Sequence, residues 1–351
     1  MAVRPVPNDL LPWALAALPD SEKCDGTLNT VAGDASNRRY YRLQGAHTSY
    51  IVAEAPPATE KNEAFVAVQA ILALGGVRVP RIHAVDYERG YLLLEDLGAR
   101  SLLPELTEDT VDAYYRQAFA SLQKLAAIEV DNWSGGFYDH ALLSEELGRF
   151  ATWFVEALLA YALTDAERQM IVRFEAALID SALAQPTVLV HRDFHSRNLM
   201  LLHDGELALI DFQDAVVGPV SYDLASLLRD CYIRWPANRV RQWASAYLVE
   251  MHHAGKLLDV DDTRFLRWFD WMGLQRHIKV LGTFARLTLR DGKSAYLDDL
   301  PLVLVYVEEM LEKYGSDEPA FAEFHTWFKS KLTPLIAQQS WRTPRPEEGV
   351  A

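Results

Sequence analysis

Three residues carry the chemistry that this sequence suggests: Asp193 and Asn198 in "HRDFHSRN" (191–198), and Asp211 in "IDFQD" (210–214). Transfer of a phosphoryl group from a magnesium nucleotide needs a carboxylate that orients the attacking hydroxyl and accepts its proton. It also needs hard oxygen ligands that hold the metal against the phosphates. Asp193 is the candidate base, and Asn198 and Asp211 are the candidate magnesium ligands. Asp and Asn also turn chains without any ligand, so either short motif alone reads equally well as a turn. Their order, their spacing and the strand-rich stretch upstream favour the chemical reading.

Positioning such a set requires rigid elements on both sides of it. "TVLV" and "LALI" are short apolar strand candidates flanking the motif, and "HDGE" (203–206) supplies an Asp-Gly turn between "NLMLL" and "LALI". A hairpin inside a helical lobe is therefore expected, with Asn198 and Asp211 at its two ends. Upstream, "TLNTV", "RRYYRL" and "SYIVAEA" read as three strands, and "RIHAVDYERGYLLLEDLG" as two more around an Arg-Gly turn. Between them, Phe65, Val68, Ile71 and Leu72 recur at helical spacing. The expected fold is α+β: an N-terminal antiparallel sheet lobe with one helix (1–97), a larger, mostly helical C-terminal lobe (98–338) and a flexible tail (339–351).

The balance of 34 Lys and Arg against 49 Asp and Glu gives a net charge of −15, which disfavours unspecific binding to nucleic acid or anionic lipid. Cys24 and Cys231 are too few and too far apart for a disulfide framework or a metal site, and both are expected as buried thiols. No stretch reaches the length of a membrane span, and the first residues, an apolar run that Pro12 interrupts, read better as a short packed helix than as a signal peptide. A cytoplasmic monomer with no nucleic-acid or membrane partner is expected.

"HRDFHSRN" followed by "IDFQD" resembles the catalytic and metal-binding segments of the aminoglycoside phosphotransferase and choline kinase group, relatives of protein kinases. "VAGDASNRRYYRL", "LLLEDLG", "DFQDAVVGPVSYDLASLLRDCY" and "QRHIKVLGTFARL" resemble, more closely, bacterial kinases that phosphorylate the anomeric hydroxyl of N-acetylmuramate and N-acetylglucosamine in cell-wall recycling. The resemblance implies a two-lobed protein-kinase-like fold, ATP as co-substrate, Mg2+ as cofactor and an N-acetyl amino sugar as acceptor. It makes Asp193 the base, Asn198 and Asp211 the metal ligands, and Asp223 the residue that supports the catalytic loop from a helix start. His191 is assigned to hydrogen bonding within the loop, while Arg197 and Asp214 are candidate substrate contacts. An aminoglycoside or choline-like acceptor, and a nucleotide-binding module without turnover, are the alternatives.

For the nucleotide, "AGDASNRRY" lies between two strands and offers Gly33 backbone and the side chains of Ser36, Asn37 and Arg38 to the phosphates. "LLLEDLG" resembles the connector where main-chain groups of Glu95 and Leu97 meet the adenine edge. The family's strand lysine is missing: Ala53 or Glu54 occupies its place, so Glu60 and Glu63 lack an obvious strand partner. Either Arg38 or Arg42 takes over at the phosphates, or nucleotide binding is weakened. For the acceptor, Tyr222, Tyr232, Trp235, Trp268 and Trp271 offer aromatic faces, one or two of which are expected in the pocket. Arg276 and Lys279, one helical turn apart, are candidates for the lactyl carboxylate of N-acetylmuramate, with an internal ion-pair face as the alternative.

Overall fold

The computed structural model describes residues 5–31, 37–131, 133 and 135–342. Along the chain, α1 (Leu10–Ala17) precedes strands β1 (Leu28–Thr30), β2 (Arg39–Gln44) and β3 (Ser49–Glu54). Helix α2 (Asn62–Leu74), strands β4 (Ile82–Asp86) and β5 (Tyr91–Glu95), and helix α3 (Val111–Ala127) follow. Then come α4 (His140–Arg149), α5 (Asp165–Leu183), β6 (Thr187–Val190), β7 (Leu199–Leu201), β8 (Leu207–Leu209) and β9 (Val216–Pro219). The remainder is helical: α6 (Tyr222–Leu228), α7 (Ala237–His253), α8 (Asp262–Asp291), α9 (Leu300–Tyr314), α10 (Pro319–Trp327) and α11 (Thr333–Ile336). The α+β architecture expected from the pattern is the one that forms. None of the described helices is long and apolar enough to cross a membrane.

The chain divides into two compact units, Met1–Ile128 with Arg197–Ala215, and Glu129–Ser196 with Val216–Ala351. In the first, five antiparallel strands are ordered β1-β2-β3-β5-β4. Register sets Tyr41 opposite Val52 and Val52 opposite Leu93, and this face is sealed by Leu10 and Ala14 of α1. Because side chains alternate along a strand, Arg42, Ile51 and Leu94 are aligned on the other face. A slip of one residue would exchange the two sets. Helix α2 buries Phe65, Val68 and Leu72, while Ile71 is only half-buried.

The hairpin β7–β8 forms where "HDGE" places it, with Leu199 opposite Leu209 and Gly205 at φ +85° in the turn. It packs with the first unit, not within the helical lobe as its sequence position suggested. Its outer backbone groups explain this: Leu102 N–H donates to the Leu199 carbonyl (2.7 Å), Leu201 N–H to Arg100 (2.8 Å) and Leu209 N–H to Arg78 (2.8 Å).

In the second unit β6 pairs with β9, a strand the sequence reading did not resolve, and the long helix α8 runs past α4, α5, α6 and α9. After Arg149, α4 widens into a π-helical stretch, Phe150–Leu158. Gly282 of α8 lies against this junction: a Cβ there would meet the Arg149 carbonyl carbon at 2.4 Å and the Phe150 nitrogen at 2.5 Å. The missing side chain thus lets α8 approach the end of α4 closely, which brings Lys279 to Glu146. A Gly282→Ala variant is expected to separate the helices, at a cost of roughly 1–3 kcal/mol from overpacking, read as a lower midpoint in urea unfolding. Ser340–Arg342, within the expected tail, form a further turn whose Trp341 is buried beside Phe154. Cys231 is buried as expected, whereas Cys24 is only half-buried and donates to the Gln44 carbonyl at 3.1 Å.

Candidate functional site

The first unit holds a cavity of about 310 Å³ whose walls include Ile51, Phe65, Leu94, Met200 and Ile210. The apolar part of this lining suits a flat heterocycle, and the volume lies at the small end of the range for ligand sites. Of the residues singled out from sequence, Glu95, Leu97, Asn198 and Asp211 line it. Met200 and Ala208 of the hairpin pack on Leu97, so the connector and the hairpin share one apolar cluster. The Glu95 N–H is already committed to the Arg81 carbonyl at 2.8 Å, and its carboxylate to Arg78. Any main-chain contact from Glu95 to a ligand must therefore use its carbonyl.

Arg42 lines the cavity too, but Asp96 clamps it, at 2.5 Å to Nε and 3.0 Å to Nη2. Asp96 also accepts from Ser49 Oγ (2.7 Å) and the Gly98 N–H (2.9 Å). This network keeps the Asp96 carboxyl below the usual carboxylate range although burial opposes it. Arg42 thus secures the connector, which removes it as the free substitute for the strand lysine.

Arg38 is placed differently. It is 4% exposed, its guanidinium lies 4.8 Å from the centre of the Phe65 ring, and Nε is 3.3 Å from Glu60. Glu60 also accepts from the Asn37 N–H at 3.2 Å. Glu60 therefore does have a partner, supplied by the loop before β2 where a strand lysine was sought. On the strand itself, Ala53 is buried and Glu54 pairs with Arg39 at 2.6 Å. Gly33 and Ser36 lie outside the described residues.

Asn198 and Asp211 stand at the two open ends of the hairpin, where the Ile210 N–H donates to the Asn198 carbonyl at 3.1 Å. Asn198 Nδ2 lies 3.5 Å from Asp211 Oδ2, and Gln213 Nε2 donates to Asp211 Oδ1 at 2.6 Å. Asp211 adopts φ +63°, a left-handed conformation that Asp tolerates better than most residues. One carboxylate and one amide, with room left for phosphate oxygens and water, is a donor set that fits Mg2+, which seldom takes an all-protein cage. Gln213 was missed from sequence; its one signal is its place two residues after the candidate ligand. Asp214 and Arg197 are exposed.

In the second unit, β6 leads into residues 191–196. The Asp223 carboxylate, at the start of α6, accepts the N–H groups of His191 (2.6 Å) and Arg192 (3.0 Å). Burial nevertheless pushes its carboxyl up to about 7. Arg192 sits at φ +78°, an outlier for a long side chain that costs of order 1–3 kcal/mol and persists only where its surroundings impose it. Here three groups do so: Asp223 takes its N–H, Arg276 Nη1 donates to its carbonyl (3.1 Å), and Glu146 pairs with its guanidinium (2.6 Å). A further pin is Asp230, which accepts the Ser196 N–H at 2.9 Å and Oγ at 2.5 Å.

Glu146 is wholly buried and also binds Lys279 Nζ at 2.9 Å and the Tyr138 hydroxyl. Lys279 contacts the Tyr222 hydroxyl at 3.0 Å, and Arg276 stacks 4.8 Å from the centre of the Tyr222 ring. Burial disfavours the charge on Glu146, yet Lys279 and Arg192 outweigh it and bring the carboxyl to about 2. Asp193, half-buried, is likewise held below the ordinary carboxylate range against desolvation, chiefly by Lys279 and then by His195, Arg192 and Arg276. Glu146 and Asp230 were not found from sequence. The signal for Glu146 was a carboxylate three residues after Leu143 and next to Leu147, on the core-facing side of a helix, where its neighbour Glu145 is exposed; Asp230 left none. Trp235, Trp268 and Trp271 are all buried, and Tyr232 packs edge-on to His195.

A sequence profile described as the phosphotransferase enzyme family matches residues 27–258. The chain is 43% identical over 286 residues to the N-acetylmuramate/N-acetylglucosamine kinase of Pseudomonas putida, covering 82% of this chain and 84% of the relative. It is 35% identical over 314 residues to the kinase of the same description from Neisseria meningitidis, covering 88% and 92%. Among solved structures, the choline kinase of Streptococcus pneumoniae superposes with a TM-score of 0.57 at 16% identity, over 81% of this chain and 93% of that one. A Plasmodium vivax ethanolamine kinase gives 0.59 at 14% identity, over 80% and 82%. These likenesses show a kinase-like fold, in agreement with the sheet and helices described above. The profile and the relatives together establish that this chain belongs to the phosphotransferase enzyme family.

Proposed function

We propose that the protein is an ATP-dependent sugar kinase that phosphorylates the anomeric hydroxyl of N-acetylmuramate and N-acetylglucosamine. The observation that carries this reading is the Asn198–Asp211 pair at the mouth of one hairpin, lining the cavity beside Glu95 and Leu97. The adenine takes the apolar cavity, with the Glu95 carbonyl and the Leu97 N–H as its main-chain partners. Arg38, backed by Glu60 and Phe65, serves the phosphates together with Asn37 in place of the strand lysine. Asn198 and Asp211 would hold Mg2+, which when bound would offset the charge of the phosphates.

In this reading Asp193 accepts a hydrogen bond from the acceptor hydroxyl and takes its proton. The acceptor oxygen forms a bond to the γ-phosphorus as the bond to the β–γ bridging oxygen breaks, giving a sugar 1-phosphate and ADP. Because Lys279, Arg192 and Arg276 keep Asp193 ionised, it is ready to accept that proton at neutral pH. Its support is fixed by Asp223 and His191, and by the three contacts on Arg192.

The acceptor preference rests on the relatives' names and on a count of buried charge. Arg192, Arg276 and Lys279 contribute three positive charges against two negative from Glu146 and Asp193, and Asp223, at about 7, cancels part of the remainder. That surplus can receive one acceptor carboxylate near Arg276, Lys279 and Tyr222. An acceptor with a fixed positive charge would meet repulsion there. The test is ADP release with ATP, magnesium and a panel of acceptors. The two N-acetyl sugars should turn over and choline, ethanolamine and aminoglycosides should not; release with the cationic acceptors alone would reject the reading.

A further inference from the structure

The second unit carries a groove that the phosphotransfer site does not use. It is an open cavity of about 600 Å³ formed by α5, α8 and the start of α10, and its lining includes Ser181, Arg264, Arg267, Trp268, Trp271 and Ala320. Arg264 lies 5.5 Å from the centre of the Trp268 ring and Arg267 4.5 Å from that of Trp271. Both guanidiniums are exposed, both indoles buried. An arginine on an indole face keeps its planar fork of donors fixed and still free at the edge.

Among the described residues neither Arg264 nor Arg267 is in a salt bridge. The chain has 15 more acidic than basic residues, so pairing partners are plentiful. Nearby cations are in fact paired: Arg173, in the same lining, binds Glu323 at 2.8 Å, and Arg229 and Lys313 bind Asp270. A second feature is independent of charge. Trp271 is 5% exposed and its Nε1–H has no hydrogen-bond partner, a donor that buried indoles usually satisfy.

We propose that this groove is a second ligand site, for a small sugar acid or sugar phosphate. The anionic group is held bidentately by Arg264 and Arg267, which are one helical turn apart on α8. The body of the ligand lies along Trp268, Trp271 and Ala320, with the Trp271 Nε1–H and the Ser181 hydroxyl as donors to its oxygens. Asp180 and Glu318, also in the lining, repel ligands of higher negative charge and limit the site to one anionic group. The inference stands on the groove alone and does not depend on the acceptor assigned above.

Calorimetric titration of the full chain without nucleotide tests it, with N-acetylglucosamine 1-phosphate, N-acetylmuramate, inorganic phosphate and N-acetylglucosamine as probes. Wild type and an Arg264→Gln/Arg267→Gln variant are compared, with tryptophan fluorescence as a parallel readout. At least one anionic sugar should bind wild type at a site that the variant weakens tenfold or more, with the accompanying fluorescence change lost. Binding of neutral N-acetylglucosamine and ADP release at saturating substrates should be unaltered. Arg264→Lys/Arg267→Lys, which keeps the charge but not the fork, should recover only part of the affinity. Loss of the phosphate probe alone, or of the carboxylate probe alone, identifies the anion and supports the site. Affinities within twofold in the variant for both anionic sugars, or inorganic phosphate binding as tightly as either sugar, would overturn it.

Discussion

An Asp193→Asn variant is expected to lose about 10³-fold in kcat while its KM for ATP stays within a few-fold of wild type. The substitution keeps the shape of the side chain and removes the charge and the proton acceptor. Asp193 does not line the cavity proposed for the nucleotide, so ATP binding is expected to survive. The pH profile adds a sign. Because Asp193 is held below the ordinary carboxylate range, its protonation does not reduce wild-type turnover between pH 8 and 5, and any fall in that interval belongs to another group. Steady-state ADP release checks both statements. Full turnover by the variant would remove Asp193 as the base.

Glu146→Gln is expected to be the most damaging single substitution outside the reacting groups. It leaves Lys279 and Arg192 buried with their shared carboxylate gone, a loss of roughly 3–5 kcal/mol in comparable cases. A drop of roughly 10 °C in Tm should follow. The same pair sets an acid limb. The folded carboxyl sits near 2 against an ordinary 4.5, so the unfolded chain binds the proton more readily. The stabilisation, about 3 kcal/mol, is complete above pH 4.5 and disappears as pH falls towards 2. Urea unfolding from pH 7 to 3 should show the slope in wild type and a shallower one in the variant. Adding Lys279→Met to Glu146→Gln should restore part of the stability, since one unpaired charge is then removed. Equal stability of Glu146→Gln and wild type would show that the network contributes nothing.

The juxtaposition of Asn198 and Asp211 was legible in the sequence because its geometry is local. Asn198 and Asp211 are joined by a hairpin whose Asp-Gly turn and apolar strands are all contained in residues 198–211. The five strands, read as β-rich runs between turns, and helix α2, read from its helical spacing, were legible for the same reason. Strand β9 escaped because all four of its residues are buried and show no alternation, and its partner β6 lies 26 or more residues away. The electrostatic setting escaped too. Glu146 lies 46 residues from Arg192 and more than a hundred from Lys279, and the contact between them depends on α8 meeting α4 at Gly282. Arg276 was sought at the substrate, yet its guanidinium also holds the Arg192 carbonyl. The missing strand lysine was correctly noticed. Arg38 was one of the two candidates for its place named from sequence, but its pairing with Glu60 and its stacking on Phe65 needed the packing of α2 against the preceding loop to be seen.

The most direct test of the central claim is the position of the transferred phosphate, read by 31P NMR of the product from N-acetylmuramate, ATP and magnesium. The account predicts a single phosphate resonance coupled to the anomeric proton, with ADP formed in equal amount, and the same product formed about 10³-fold more slowly by the Asp193→Asn variant. A phosphate coupled instead to the C6 protons, or ADP formed without any sugar phosphate, would contradict it.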